Sequence, residues 1–388
     1  MLFSCFVLVY LAQKRNMPWA IKYLLLLLAI LIPTFFSAFR AESYRGDYAS
    51  YLVVLRQIMR HVSSLEDIFV SGRVYFKEPG FTCILYLLSC IVPHNIFIFG
   101  VIYFVMLTSA LTGLWQMRRI ATPAVSYTFY LCVNLLFSWN GVRQAWGGAF
   151  ALLGIGLLLN KKRVFPCILF IIIGTAVHLT TILFMIVPLY YMLITRRLRY
   201  KVIFIIFLAI IPFVYNLIAR TYGSYMHALE LESVMWTNII KFFFIYLPPF
   251  VLLYYLQKRL NPNMLPQTAA GAMSSTASTS AGFPSSAPAL QLSYQDDSDM
   301  LTLCPKIFIC FMLLMLTMQI VGLFAAYVAT RMVTLFYPLL AVIYAFIYRR
   351  CGSIVKVYLL FMIFYYYLFY CAVQTSGEYV MSLDNVLL

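Results

Sequence analysis

Charge is what this chain has least of. Asp, Glu, Lys and Arg make up 10% of its 388 residues, against about 25% in a soluble globular domain. A water-soluble core under a charged shell is thereby excluded. Acids are scarcer still, with 12 Asp and Glu against 28 Lys and Arg, and histidine occurs four times. The nine cysteines form no CxxC pair, and Cys83, Cys90, Cys132, Cys167, Cys310 and Cys371 lie inside apolar runs. Neither a zinc site nor a disulfide framework has the spacing it needs. The cysteines read as small hydrophobes, and no metal or cofactor is expected. No HExxH, GxSxG or P-loop occurs, so soluble-type hydrolase and ATPase sites are excluded. There is no repeat of about 20–50 residues and no clear inverted duplication. The stretch Leu2–Ala12 has no basic run before it, so a cleaved signal peptide is not expected.

Apolar sequence fills the chain instead. It is 64% hydrophobic, with a mean hydropathy of +0.90. The expected fold is an all-α polytopic integral membrane protein. It would have about 12 transmembrane helices plus one re-entrant or half-inserted helix. The net charge of +16 would suggest nucleic acid in a soluble protein. Here it falls largely in short Lys/Arg clusters between apolar runs, so it reports topology and no nucleic-acid partner is expected.

Those clusters orient the spans. Lys14, Arg15 and Lys22, then Arg118-Arg119, Lys161–Arg163, Arg196–Lys201 and Arg349-Arg350 mark the cytoplasmic side. Residues 21–39 lead outward to a polar periplasmic loop at 40–79, too polar for lipid. Within it Tyr48, Tyr51, Leu52, Leu55 and Met59 recur at helical spacing, an amphipathic helix on the outer surface. Residues 81–93 are too short to span the hydrocarbon core and read as the re-entrant segment. Residues 142–159 cross inward with Gly147, Ala151 and Gly154 on one face, for close helix packing. Residues 164–194 form a tight pair turning near His178. A second outer loop covers 220–238, and 239–256 return with a bend at Pro248-Pro249. This completes an N-terminal transmembrane bundle over 1–256. Residues 257–302 are a flexible cytoplasmic linker, since the Ala/Ser/Thr/Pro-rich run 268–293 cannot bury a core. Residues 303–388 complete the same bundle and leave the C-terminus outside.

This topology gathers an unusual set on the outer face. Arg143 and His178 are expensive in such apolar sequence and mark a pathway or a site. Arg40, Arg45, Arg143 and Arg331 abut membrane segments from separate parts of the chain. Guanidinium forks converging at headgroup level suit a diphosphate. Each residue has a plainer reading beside this one. Arg143 and Arg331 also fit helix ends snorkelling to headgroups, and Arg40 and Arg45 fit solvated loop positions. His178 also fits a satisfied buried histidine. Asp47 and Glu78 also fit helix caps. Tyr48 and Tyr51 fit an interface belt, though aromatic faces stack on sugars as well.

The same residues carry a family resemblance. Arg40-(x4)-Arg45-Gly-Asp47-Tyr48-(x2)-Tyr51 resembles the "R…GtDY…Y" signature of EpsG-type polysaccharide polymerases. Glu78-Pro-Gly-Phe81 looks like that family's "EPxF", and Asn140-Gly-Val-Arg143-Gln144 like "NxIRQ". Ala176-Val-His178, followed by Thr180-Thr181, resembles "hAxxFHxSA", with Val177 in place of Phe, and Arg331 before Tyr337 resembles "aRixxYf". The elements occur in order across nearly the whole chain apart from 257–302.

The resemblance implies a multi-pass polymerase of the bacterial inner membrane, of the Wzy type. It would be a GT-C-like glycosyltransferase with its active site facing the periplasm, serving O-antigen (lipopolysaccharide), capsule or exopolysaccharide. Donor and acceptor would be glycans on a polyprenyl pyrophosphate such as undecaprenyl pyrophosphate. Asp47 takes the place of the family's outer-loop acid, and His178 is the other candidate base. Arg40, Arg45, Arg143, Arg331, Tyr48, Tyr51, Glu78, Asn140 and Gln144 would bind pyrophosphate or glycan. Membrane lipids, a chain-length regulator and a flippase of the same pathway are the candidate partners. Three other readings stand beside it: a lipid-linked sugar flippase or transporter, an O-antigen ligase, and a non-catalytic assembly partner. A flippase needs charges on both membrane halves and repeats, whereas these charges gather on one face.

The parity of the basic clusters gives a direct test. Reporter fusions at Ser285 and Leu388 should read cytoplasmic and periplasmic respectively. A periplasmic signal at Ser285 removes the basis for an outer-face site.

Overall fold

The computed structural model describes residues 1–39, 47–71, 79–92, 94–195, 242–260, 303–316 and 334–375, and all their regular structure is helical. The chain divides into two compact units. One is Met1–Leu229 with Tyr327–Leu388; the other is Glu230–Ala326.

The larger unit opens with α1 (Leu2–Ala12) and α2 (Trp19–Ala38). Then come α3 (Asp47–His61), α4 (Leu65–Ser71), α5 (Pro79–Ile91) and α6 (Asn95–Gln116). A continuous helix follows: α7 (Pro123–Tyr130), a π turn over Leu131–Leu135, and α8 (Leu136–Asn140). Next are α9 (Val142–Lys161), α10 (Val164–Val177), a 3-10 helix over Leu179–Met185 and α11 (Ile186–Thr195). In the smaller unit a π turn over Phe242–Tyr246 leads into α12 (Leu247–Arg259), followed by α13 (Leu303–Leu316). The larger unit resumes with α14 (Tyr337–Arg350) and α15 (Ser353–Thr375). Among the described residues, α2, α6 and α9 are long and apolar enough to cross a membrane, and several shorter helices are apolar.

The α9 helix is the hub of the larger unit, and glycine lets its neighbours in on three sides. A Cβ on Gly156 would stand 2.5 Å from the Gly113 carbonyl oxygen of α6, and one on Gly113 would stand 2.7 Å from the Leu152 carbonyl oxygen. A Cβ on Gly154 would meet the Cys167 carbonyl oxygen of α10 at 2.8 Å, and one on Gly174 would meet the Gly147 carbonyl oxygen at the same distance. Gly148 faces Pro338 of α14, where a Cβ would lie 2.9 Å from the ring. Backbones therefore touch backbones, the packing that small residues permit between apolar helices. The expected Gly147–Ala151–Gly154 face packs on α10. Gly148 and Gly156 form further contact faces that the pattern did not single out.

Local structure adds three details to the expected pattern. On α3 the buried stripe is Tyr48, Tyr51, Leu52, Leu55 and Ile58, while Met59 is 42% exposed. Its apolar face packs on α5 and α8, with Tyr48 on Phe99 of α6, rather than lying free, and the stripe steps three residues on from Leu55 instead of four. Residues 123–140 are helical without a gap and widen into a π turn at Leu131–Leu135. Tyr103 Oη donates to the Ser138 carbonyl at 2.8 Å and Trp139 Nε1 donates to Ser37 Oγ at 3.0 Å, which anchors the part after the π turn. Pro248-Pro249 open α12, directly after the π turn at 242–246 with which it is continuous.

Described basic residues from several parts of the larger unit gather at one end. Lys22 Nζ lies 5.0 Å from the Trp115 ring, and Asn160 Nδ2 donates to Gln116 Oε1 at 2.7 Å. Arg349 Nη1 donates to the Arg119 carbonyl at 2.9 Å, and Arg350 Nη1 to the Ile120 carbonyl at 2.7 Å, satisfying acceptors just beyond the end of α6. Among the described residues the only acids are Asp47, Glu66 and Asp67, on α3 and α4. Asp67 belongs to a capping box. Its backbone N–H donates to Ser64 Oγ while its carboxylate accepts from the Ser64 N–H and from Ser63, which holds its pKa below the ordinary value. That attachment is complete above the ordinary carboxylate range and weakens as pH falls through the acidic range.

The α6–α9 contact can be measured. Gly156→Ala should destabilise the purified protein by about 1–3 kcal/mol, because backbone cannot step aside as a side chain does. Gly352, with nothing within 4 Å of its Cβ position, is the control. Gly352→Ala should change the melting midpoint little.

Candidate functional site

The α9–α10 crossing sets the site. Gly147 and Gly174 meet there, and the helices run antiparallel. Arg143 lies four residues before Gly147, and His178 four residues after Gly174. Four residues is one helical turn. Both therefore stand one turn beyond the crossing, at the same end of the bundle. Lys161 closes α9 at the opposite end, about 27 Å away at 1.5 Å per residue.

Each residue is placed by a break in regular structure. Gly141 ends α8 and serves as the N-cap of α9, so Arg143 sits in the first turn of α9. His178 leaves the helix with φ −151° and ψ 116°, while its N–H still donates to the Gly174 carbonyl at 2.9 Å. Its carbonyl accepts from the Thr181 N–H at 3.0 Å and starts the 3-10 helix. The turn expected near His178 is thus made at His178 itself. Arg143 and His178 are both half-buried.

Arg143 lies over an aromatic ring. Its Cζ lies 5.6 Å from the Tyr51 ring centroid of α3, within cation–π range. Tyr51 packs on Phe81 of α5 at 5.8 Å, and Phe81 meets Trp146 of α9 edge-on at 6.3 Å. Tyr48 contacts Phe99 of α6 at 4.9 Å, edge to face. Gly80 abuts the Ala176 carbonyl, so the start of α5 touches the end of α10 two residues before His178. The N-terminal ends of α3, α5 and α9 and the C-terminal end of α10 thus share one place.

Asp47 is the first residue of α3, one turn before Tyr51. Asn140 is the last residue of α8. Arg40, Arg45, Glu78 and Arg331 lie outside the described residues. Gln144, expected to bind substrate, is buried and donates from Nε2 to Thr334 Oγ1 at 3.1 Å. It ties α9 to the segment preceding α14, three residues after Arg331 in sequence. Sequence reasoning passed over Thr334 and Trp146. Nothing marks Thr334 apart from its nearness to Arg331, and Trp146 was one more aromatic in an aromatic-rich chain.

Among the described residues, no three His, Cys, Asp or Glu side chains group to hold a metal ion. What the site offers is a cation on an aromatic face, a histidine at a chain break, and an acid-bearing helix start one turn from the aromatic contact. No curated protein and no solved structure matches the chain. The sequence profile of the EpsG family matches residues 23–383, a span that holds every residue of this cluster, and the chain belongs to the EpsG family.

Proposed function

We propose that this chain is a polymerase of polyprenyl-pyrophosphate-linked oligosaccharide repeats, acting on the periplasmic face of the bacterial inner membrane through about twelve crossings. The observation that carries the reading is the shared end of Arg143, Tyr51 and His178 at the α9–α10 crossing, away from the basic end of the bundle. EpsG membership supports a polysaccharide-polymerase type of activity.

The donor is a glycan joined through its anomeric carbon to polyprenyl pyrophosphate. The acceptor is a lipid-linked repeat. An acceptor hydroxyl oxygen attacks the anomeric carbon, the bond from that carbon to the pyrophosphate oxygen breaks, and polyprenyl pyrophosphate leaves with the bond's electrons. Arg143, with Arg40, Arg45 and Arg331, stabilises the departing charge. Asp47 or His178 takes the hydroxyl proton. The pyrophosphate linkage supplies the driving force, so the step draws on no nucleotide.

Neutral substitutions test the base. Asp47→Asn keeps a capping group without the charge, so a purely capping role leaves polymerisation near normal. His178→Gln keeps a polar group without comparable basicity. Neutralising the true base should slow polymerisation by about 10²–10⁴-fold, read as loss of long chains while membrane levels of the protein hold. A doubly substituted protein that polymerises purified lipid-linked repeats at the normal rate removes both residues from that role.

Arg143→Lys and Arg331→Lys test the phosphate contact. A point charge loses the second bond of the fork, so both variants should shorten the chain-length distribution. Normal distributions in both would leave these arginines as snorkelling helix ends.

A further inference from the structure

Hydroxyls in the apolar helices of this protein commonly bond to the turn behind them. Thr34, Thr128, Thr175 and Thr195 each donate to the carbonyl four residues back, at 2.7–2.9 Å. Four groups around the α9–α10 crossing depart from that pattern. Thr82 Oγ1, Thr180 Oγ1, Thr181 Oγ1 and Trp146 Nε1 are buried with no hydrogen-bond partner among the described residues. The residues are 0%, 7%, 0% and 4% exposed. Thr180 and Thr181 open the 3-10 helix just after the break at His178, where no regular helical turn lies behind them.

The four positions lie on three elements that meet here, α5, α9 and the 3-10 helix. Thr181 Oγ1 lies against Gly147, next to Trp146 in sequence. Trp146 packs on Phe81, next to Thr82. Leu179, between His178 and Thr180, is 44% exposed, so these groups lie just beneath the surface. Buried polar groups are nearly always bonded, and leaving one unmade costs stability. Four such groups near an arginine and a histidine leave hydrogen bonds that a ligand would complete.

Resting on the polymerase reading above, we infer that Thr82, Thr180, Thr181 and Trp146 form the subsite for the sugar ring joined to the pyrophosphate. The chemistry selects that class of ligand. Three hydroxyls and one indole N–H are uncharged groups that pair with sugar hydroxyls. The neighbouring rings of Phe81 and Tyr51 offer an apolar wall for the C–H face of a pyranose. The pyrophosphate would fall to Arg143, leaving the neutral groups to the first sugar.

The inference separates affinity from stability. Thr181→Val and Trp146→Phe remove the polar atom and keep the shape. A group without a partner in the ligand-free protein should be replaced at no cost, so the melting temperature of the purified double variant should hold or rise. Two probes are compared: the lipid-linked repeat extracted from a strain deleted for this chain, and the same polyprenyl pyrophosphate without sugar. Wild-type protein should bind the glycosylated lipid at least about tenfold more tightly. The double variant should lose about tenfold for that probe alone and bind the bare lipid as wild type does. A variant that melts lower shows that the groups serve the fold, and one that binds both probes like wild type has no such subsite; either result overturns the inference while leaving the polymerase reading intact. Wild-type protein that does not distinguish the probes overturns both.

Discussion

Backbone contact between glycine-bearing helices governs the larger unit of this protein. The α9 helix has α6, α10 and α14 as neighbours, and at each contact a glycine stands where a Cβ would strike a carbonyl or a proline ring. Lipid tails are as apolar as leucine, so apolar side chains give helices little reason to prefer one another. Close approach supplies that reason through dispersion contacts. It also fixes register, because a glycine admits its neighbour at one height only.

Register is what turns packing into chemistry. Gly147 and Gly174 lock α9 to α10, and one turn beyond them stand Arg143 and His178. Sliding either helix by one turn would separate the two. Breaks in regular structure complete the arrangement. Gly141 starts α9 just before Arg143, and the extended backbone at His178 ends α10. Tyr51 reaches Arg143 because α3 buries its tyrosine face against α5 and α6. The rigid crossing and the interrupted helix ends thus play separate parts: one fixes distance, the other sets where Arg143 and His178 stand.

Charge is divided as sharply as the packing is shared. At one end the cations bond to helix-terminal carbonyls and aromatic rings, as Arg349 and Arg350 do beyond α6 and Lys22 does on Trp115. At the other end the cation of Arg143 shares its surroundings with aromatic rings and the start of an acid-bearing helix. The first set anchors. The second has the makings of a site, since Arg143 lies half-buried on an aromatic face in otherwise apolar sequence.

Several features were legible before any coordinates. The low charge and long apolar runs fixed an all-helical membrane protein, because apolar sequence in lipid must satisfy its backbone within helices. The ordered motifs around Asp47, Glu78, Arg143, His178 and Arg331 pointed to the EpsG family, which the profile over 23–383 shows. The small-residue face of α9 gave its contact with α10, and the turn at His178 was placed correctly. What the sequence could not decide depends on contacts between distant residues. Gln144 looks like a ligand in its motif, yet it bonds to Thr334, 190 residues away. Met59 and Ile58 fit the apolar stripe of α3 equally well until the neighbouring helices choose Ile58. The orphaned hydroxyls of Thr180 and Thr181 are ordinary threonines in the sequence. The break at His178, and for Thr181 the contact with Gly147, leave them buried and unbonded, because hydrogen-bond satisfaction belongs to the folded neighbourhood and not to the residue type.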